Sequence, residues 1–424
     1  MAPREETHRE LQRRMAQFSA FGATAAGGVH RPEATAANAK ARRALADWWR
    51  ETGLEVRVDA IGNMFGLDAT AGADAPWLMT GSHIDSQPNG GCFDGTYGVL
   101  ASTIAANDIR GGRAANATPS VNIAVVAWTN EEGARFQPSV LGSSAYVGAI
   151  DLDWALERVD RDGISVAAAL DTIGFRGMDK PPPFPAAYVE LHVECGPELD
   201  RAGRRLAVFN RWWGCRKLEI CFEGVPAHTG PTPMAERRDA LLAAAHVITG
   251  VRALVDEYPA GSFHSSVGRV EVLPNSPNVV PSRATLYLEL RSADPEILST
   301  SFERMRAMIE AAAVSAGVRW HMARDELRPP GRLADELQKL AHRVAGDLGE
   351  EAMTLDTIAA HDAVPLARVC PSIVVATPSV GGICHSPDEF TKPEDLNLGL
   401  DLLSGMLDSI VSGKTAVGST RKAA

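Results

Sequence analysis

The run Val121–Ala127 (VNIAVVA) constrains this chain more than any other stretch, because it is almost wholly apolar and leads straight into Trp128-Thr129-Asn130-Glu131-Glu132. Successive side chains of a strand point to opposite faces, so a strand apolar on both faces needs cover on both. Sheets clothed by helices meet that need. Further short apolar runs lie at Leu54–Val58, Trp77–Thr80 and Ser372–Ala376. Helical stretches stand among them at Glu6–Phe18, Ala36–Thr52, Thr96–Ile109, Leu333–Ala345 and Leu396–Val411, the second closed by Gly53. The alternation predicts an α/β domain with a covered mixed sheet, which gathers ligands where strands end and loops begin. Tyr188–Glu194 breaks the apolar rule: Tyr188, Glu190, His192 and Glu194 share one face. Such a strand either lies at an edge or reaches into a site.

From about Gly214 the pattern changes. Leu218, Ile220 and Phe222 alternate cleanly, a long helix is predicted over Arg238–Val255, strands over Val267–Val272 and Ala284–Leu290, a helix over Pro295–Ala316, and a last strand near Val318. This order predicts a smaller α+β domain at residues 214–328, inserted between two parts of the larger one, 1–213 and 329–424. The pair Pro329-Pro330 marks its exit.

Two function classes are disfavoured by composition. The formal net charge of -11 argues against nucleic acid and anionic membrane as partners. No stretch approaches the roughly 20 apolar residues that span a bilayer, and Met1–Arg14 lacks the apolar segment of a signal peptide, so a cytoplasmic location is expected. Cys92, Cys195, Cys215, Cys221, Cys370 and Cys384 form no CxxC pair, and most read as buried small hydrophobes. The patch Ala114–Ala117 is too short to count as low complexity, and the tail from Ser412 reads as loosely ordered.

The chemistry concentrates in a few stretches. In GSHIDSQPNGGCFDGTYGVL (81–100), His83 and Asp94 flank a glycine-rich turn that lets both point into one cavity. An imidazole and a carboxylate are both zinc ligands, and Asp94 has two oxygens with which to bridge two cations. Asp85 is placed to orient that set from behind. In WTNEEGARF (128–136), adjacent glutamates at a strand end suit two tasks: Glu132 on a cation and Glu131 as general base toward the attacking water. His192, or His385 in GGICHSPDEFT, supplies a second imidazole. The bland alternatives are ordinary core histidines and a solvated acidic pair. Neither GxSxG nor GxGxxG occurs, and a nucleophilic Cys195 beside His192 is the weaker rival.

Taken with GGVHRPEAT (27–35), VDAIGNMFG (58–66), ELHVECGP (190–197), HTGPTPM (228–234) and PNSPNVVP (274–281), these stretches resemble the zinc-dependent amidase branch of the M20 metallopeptidases, over nearly the whole chain. That branch holds N-carbamoyl-L-amino-acid, allantoate and ureidoglycolate amidohydrolases and beta-ureidopropionase. The resemblance implies a di-metal catalytic domain interrupted by a dimerisation (lid) domain, and two divalent ions, with zinc first and manganese, cobalt or nickel as alternatives. It implies His83, Asp94 and His192 on one ion, Asp94, Glu132 and His385 on the other, and Glu131 as base. His228 would steady the transition state, in family members often from the opposite subunit. Asn278 and Arg291 would grip a substrate carboxylate, with Arg135 and Cys195 also at the substrate. The implied substrate is an N-carbamoyl-L-amino acid, with allantoate, ureidoglycolate or an acyl-amino acid as alternatives, and the implied assembly a homodimer through 214–328. The chain departs from the family where Cys195 replaces a usual glutamine, where Trp212 and Trp213 stand among expected glycines, and in HTGPTPM and DTIAAHDA (356–363).

Overall fold

The computed structural model describes residues 4–112 and 119–415, so the Ala114–Ala117 patch and the tail beyond residue 415 lie outside the described residues. The chain divides into two units, one formed by 1–210, 333–355 and 359–424, the other by 211–332 and 356–358.

The first unit is built on a mixed sheet whose strands run in the order Glu55–Val58, Met64–Asp68, Asn122–Trp128, Trp77–His83, Ala187–Val193, Ser372–Thr377 and Ala207–Trp212. The four from Asn122–Trp128 to Ser372–Thr377 are mutually parallel, and the flanking pairs are antiparallel. Every residue of Asn122–Trp128, Ala187–Val193 and Ser372–Thr377 is buried, as a sheet covered on both faces requires. Each fully buried aliphatic side chain here contributes about 1.5–3 kcal/mol relative to exposure. The helices Thr96–Gly111 and Pro393–Val411 pack on these strands. Tyr97 ties them together by donating its hydroxyl to Leu396 O at 2.7 Å. The helix Ala36–Glu51 joins through Trp49, whose indole donates to Thr103 Oγ1 at 2.9 Å.

The strand with a polar face is central, not an edge: Ala187–Val193 pairs on both sides. Its polar groups are consumed inside the unit. Glu190 accepts Ser82 Oγ–H at 2.8 Å and the Ala363 N–H at 2.8 Å, Tyr188 donates to Gly81 O, and His192 reaches the site described below. The strands Met64–Asp68, Ala207–Trp212 and Met353–Thr357 were not expected from the sequence. Each is short or carries polar residues that mask its period.

The second unit is an antiparallel sheet in the order Arg319–Arg328, Gly214–Glu223, Arg283–Ser292, His264–Leu273. The helices Ala240–Leu254 and Pro295–Ala316 pack on it, and the core joins Leu218, Ile220, Phe222, Leu286 and Leu288 to Val247, Val251, Met305 and Ile309. Asp239 and Asp294 cap the two helices by accepting N–H groups of their first turns. Trp212 lies so close to Gly331 that a side chain there would strike its ring, and Trp213 donates to Asp356 Oδ2 at 3.2 Å. No helix among the described residues is long and apolar enough to cross a membrane.

Candidate metal centre

The C-terminal ends of the parallel strands converge on Asp94. His83 ends the strand Trp77–His83, Glu131 and Glu132 follow Asn122–Trp128, His192 belongs to Ala187–Val193, and His385 lies in the loop after Ser372–Thr377. Asp94 Oδ1 is 3.2 Å from His83 Nε2 and 3.1 Å from His192 Nε2. Its other oxygen, Oδ2, is 3.2 Å from His385 Nε2, which is also 3.2 Å from Glu132 Oε2. One carboxylate therefore faces imidazoles from both sides. Gly95, at φ 62, makes room for this, because a side chain there would land on the His83 ring.

The far ring nitrogens are fixed by backbone. His83 Nδ1 lies 3.0 Å from Asp85 O, and His192 Nδ1 lies 2.8 Å from Val193 O. A proton on Nδ1 satisfies each carbonyl and leaves the Nε2 lone pair free for a cation. Asp85 holds the arrangement from behind: its two oxygens accept the N–H groups of Glu131 and Glu132, each at 3.3 Å. Glu132 is steadied by Gln87, whose backbone and side-chain nitrogens lie 3.1 and 2.9 Å from its carboxylate.

The electrostatics call for positive charge. Burial pushes the Glu131 carboxyl up to about 8, with Glu132, Asp94 and Asp85 adding to the rise and His83 opposing it. Burial works against charge on His83 and His192, yet Glu131, Asp85 and Asp94 outweigh it at His83, and Asp94 and Cys195 at His192, so both rings are held well above the ordinary histidine value. Burial also opposes ionisation of Asp94, but His192, His385 and His83 hold its carboxyl well below the usual range. Glu131 Oε1 is buried without a hydrogen-bond partner, an expensive arrangement unless something else satisfies it. Lone-pair donors and excess carboxylate fit divalent cations. Among the donor groups that lie mutually within 4.8 Å, two meet at Asp94: His83, Asp94 and His192 on one side and Asp94, Cys384 and His385 on the other.

The model of peptidase family M20/M25/M40 matches residues 79–409, which takes in each of these side chains. The chain belongs to this family. It is 33% identical to an N-carbamoyl-L-amino acid amidohydrolase of Geobacillus stearothermophilus, over 95% of this chain and 98% of that one. It is 32% identical to an allantoate amidohydrolase of Bacillus subtilis, over 91% and 94% of the two chains. A crystal structure of a hydantoinase/carbamoylase family amidase from Burkholderia vietnamiensis superposes with a TM-score of 0.91 at 33% identity, covering 95% of this chain and 97% of that one. Membership of the M20 family makes the protein a hydrolase of amide or ureide bonds, and the family implies divalent metal ions.

Other residues of this M20 chain stand as follows. Arg135 binds its own unit: Nε lies 3.0 Å from Asp160 Oδ2, and one terminal nitrogen donates to Glu33 O and Ala34 O at 3.1 and 2.7 Å. His228 and Asn278 are neighbours within the second unit, where His228 pairs with Val279 and Thr229 N–H donates to Asn278 O. Arg291, in the same unit, bonds Glu289 and Ile358 O. Cys92, Cys195 and Cys384 are only half-buried, which corrects the expectation that most of the cysteines are buried, and Cys195 and Cys384 lie beside Asp94. Sequence reasoning missed Glu389. Its carboxylate accepts N–H groups from Phe93 at 2.9 Å, Asp94 at 3.1 Å and His385 at 3.3 Å, joining the two loops that carry the cation donors. The only signal was its place four residues beyond His385 in a stretch already singled out.

Proposed function

We propose that this protein hydrolyses the ureido C–N bond of an N-carbamoyl-L-amino acid, with His83, Asp94 and His192 holding one divalent cation and Asp94, Glu132 and His385 a second, zinc being the first choice. The observation that carries this reading is the two-sided Asp94, with one oxygen toward His83 and His192 and the other toward His385. When bound, such cations make water more acidic and polarise the carbonyl. Glu131 takes the proton from the attacking water through its unpartnered Oε1 and hands it to the departing nitrogen. A carboxylate within reach of that water is what a general base requires. The released carbamate breaks down to ammonia and carbon dioxide.

On the same reading, His228 steadies the oxyanion, while Asn278 and Arg291 bind the substrate carboxylate, for which a guanidinium fork is the fitting partner. Residues 214–328 form the dimerisation domain. That assignment is supported by the open edge strand His264–Leu273, on which Val270 and Leu273 are exposed. Arg135 takes no part in binding on this account, because its bonds fasten the Glu33–Ala34 turn. A second reading, allantoate or ureidoglycolate as substrate, is favoured by the allantoate amidohydrolase among the relatives.

Ammonia release across N-carbamoyl-L-amino acids, beta-ureidopropionate, allantoate and ureidoglycolate, with zinc, manganese, cobalt or nickel added, tests the proposal. N-carbamoyl-L-amino acids should turn over fastest, and Glu131→Gln should keep its cations while losing about 10²–10⁴-fold in turnover. Fastest release from allantoate would replace the substrate, and near-normal turnover by Glu131→Gln would remove the base.

A further inference from the structure

Two thiols crowd the His385 side of Asp94, where the mechanism above gives them no task. Cys195 Sγ and Cys384 Sγ are 2.9 Å apart. Cys384 Sγ is 3.1 Å from Asp94 Oδ2, whereas Cys195 Sγ is 3.7 Å from that oxygen and 3.9 Å from His192 Nδ1. The backbone around them is pinned. Cys195 and His385 both hold left-handed conformations, at φ 57 and 56, which side chains other than glycine adopt only under constraint. Cys195 N–H donates to Ser379 Oγ at 3.2 Å, and His385 N–H to Glu389 Oε2 at 3.3 Å. The remaining thiols are elsewhere: Cys92 faces Gly27 O, Cys215 and Cys221 lie in the second unit, and Cys370 bonds Leu366 O.

The spacing is that of a coordination shell. With zinc–sulfur near 2.3 Å and zinc–nitrogen or zinc–oxygen near 2.0–2.2 Å, the edges of a tetrahedron measure about 3.4–3.6 Å. The Asp94 Oδ2 contacts to His385 Nε2 and Cys384 Sγ, at 3.2 and 3.1 Å, sit a few tenths of an ångström inside those edges. The three donor atoms also lie within 4.8 Å of one another.

We propose that Cys384 is a sulfur ligand of the cation on the His385 side, alongside Asp94 Oδ2, His385 Nε2 and Glu132. On binding, the Cys384 proton leaves to solvent and the thiolate takes its place on the ion, with no change of oxidation state. A thiolate in the shell favours zinc or cobalt over the harder manganese, so this position should discriminate among cations more sharply than the all-nitrogen-and-oxygen side. The inference rests on the two-cation reading, and the test separates the two.

Protein reduced with a phosphine is loaded with cobalt(II). Bound cobalt is counted by equilibrium dialysis, and the near-ultraviolet sulfur-to-cobalt charge-transfer band is recorded. The band should appear in the wild type and in Cys195→Ser, and should vanish in Cys384→Ser and Cys384→Ala while both still bind cobalt. Manganese competition should become more effective in those two variants. Cobalt bound without a sulfur band overturns the sulfur ligand and leaves the two-cation reading standing. A band lost in Cys195→Ser but kept in Cys384→Ser overturns the assignment to Cys384. Failure of the wild type to bind cobalt, zinc or manganese overturns both.

Discussion

Glu389 joins the loop of Asp94 to the loop of His385, so its removal should loosen the candidate centre without touching any proposed cation donor. One oxygen accepts the N–H groups of Phe93 and Asp94, and the other accepts that of His385. Glu389→Ala leaves three N–H donors without their acceptor, at a residue that is only 5% exposed. Each buried donor left without a partner costs about 1–3 kcal/mol. Partial relaxation and water entry lower the sum, so a loss of about 3–5 kcal/mol in unfolding free energy is expected. Residues that orient metal donors from behind typically matter about 10–100-fold in metal affinity, and zinc affinity should fall by that factor. Glu389→Gln retains one carbonyl oxygen. It can keep the shorter bonds to Phe93 and Asp94 and lose only the weaker one to His385, with a loss of about 1–2 kcal/mol. The ordering wild type, Gln, Ala should therefore hold both in urea-unfolding free energy of the metal-free protein and in competition against a chromophoric zinc chelator. If Glu389→Ala equals the wild type in both measurements, the carboxylate is not what joins the loops. If it loses stability at unchanged zinc affinity, the loops hold the donors without it.

Three further outcomes follow from the same contacts. Arg42 and Glu33 form an ion pair with fully buried side chains, and Glu33 also accepts the Asn130 N–H beside Glu131, so Arg42→Met should cost about 3–5 kcal/mol in calorimetry or denaturant unfolding by leaving a buried carboxylate unpaired. Gly95→Ala sets a methyl group against the His83 ring at a left-handed φ, and bound zinc counted by dialysis should drop; full zinc loading would refute that account of the turn. Cation binding should depend on pH. In the metal-free protein the surrounding carboxylates make His83 and His192 hold protons more tightly than ordinary histidines, and burial pushes Glu131 up to about 8. The ion must displace these protons, so apparent affinity should rise with pH through neutrality, with proton release seen as buffer-dependent heats in titration calorimetry; affinity flat from about pH 6 to 8 would contradict the charge balance.

Much of this was legible in the sequence because it depends on local patterns. The apolar run before Thr129 announced a strand covered on both faces, and Asn122–Trp128 is buried throughout. Pro295–Ala316 was legible from end to end because Asp294 caps it and Gly317 closes it. Strands such as Ala207–Trp212 were not legible, since Asn210 and Arg211 interrupt the apolar period and only pairing across the sheet makes them strand. The polar face of Ala187–Val193 stayed ambiguous for a related reason: whether Glu190 meets solvent or Ser82 depends on a residue 108 positions away.

The same distinction explains the site. Residue types that donate to cations announce themselves, but the groups that hold them do not, because the hydrogen bond that Glu389 accepts from the Phe93 N–H spans 296 residues and leaves no periodic trace. Cys384 went unnoticed on the same ground. A cysteine in a sequence is far more often a small buried hydrophobe than a donor, and only the folded chain brings Cys195 and Cys384 to one carboxylate oxygen. Asp94 is then shared by donors drawn from four separate segments, and no one of them has a reason to be charged or lone-pair rich where it sits. Together they crowd the carboxyl groups of Glu131, Glu132, Asp94 and Asp85 against the buried imidazoles of His83 and His192 and the half-exposed one of His385, an imbalance of acid over base that shows in the raised Glu131 carboxyl. That imbalance is a property of the assembled loops, and it ties the stability of this end of the sheet to the ions it is shaped to receive.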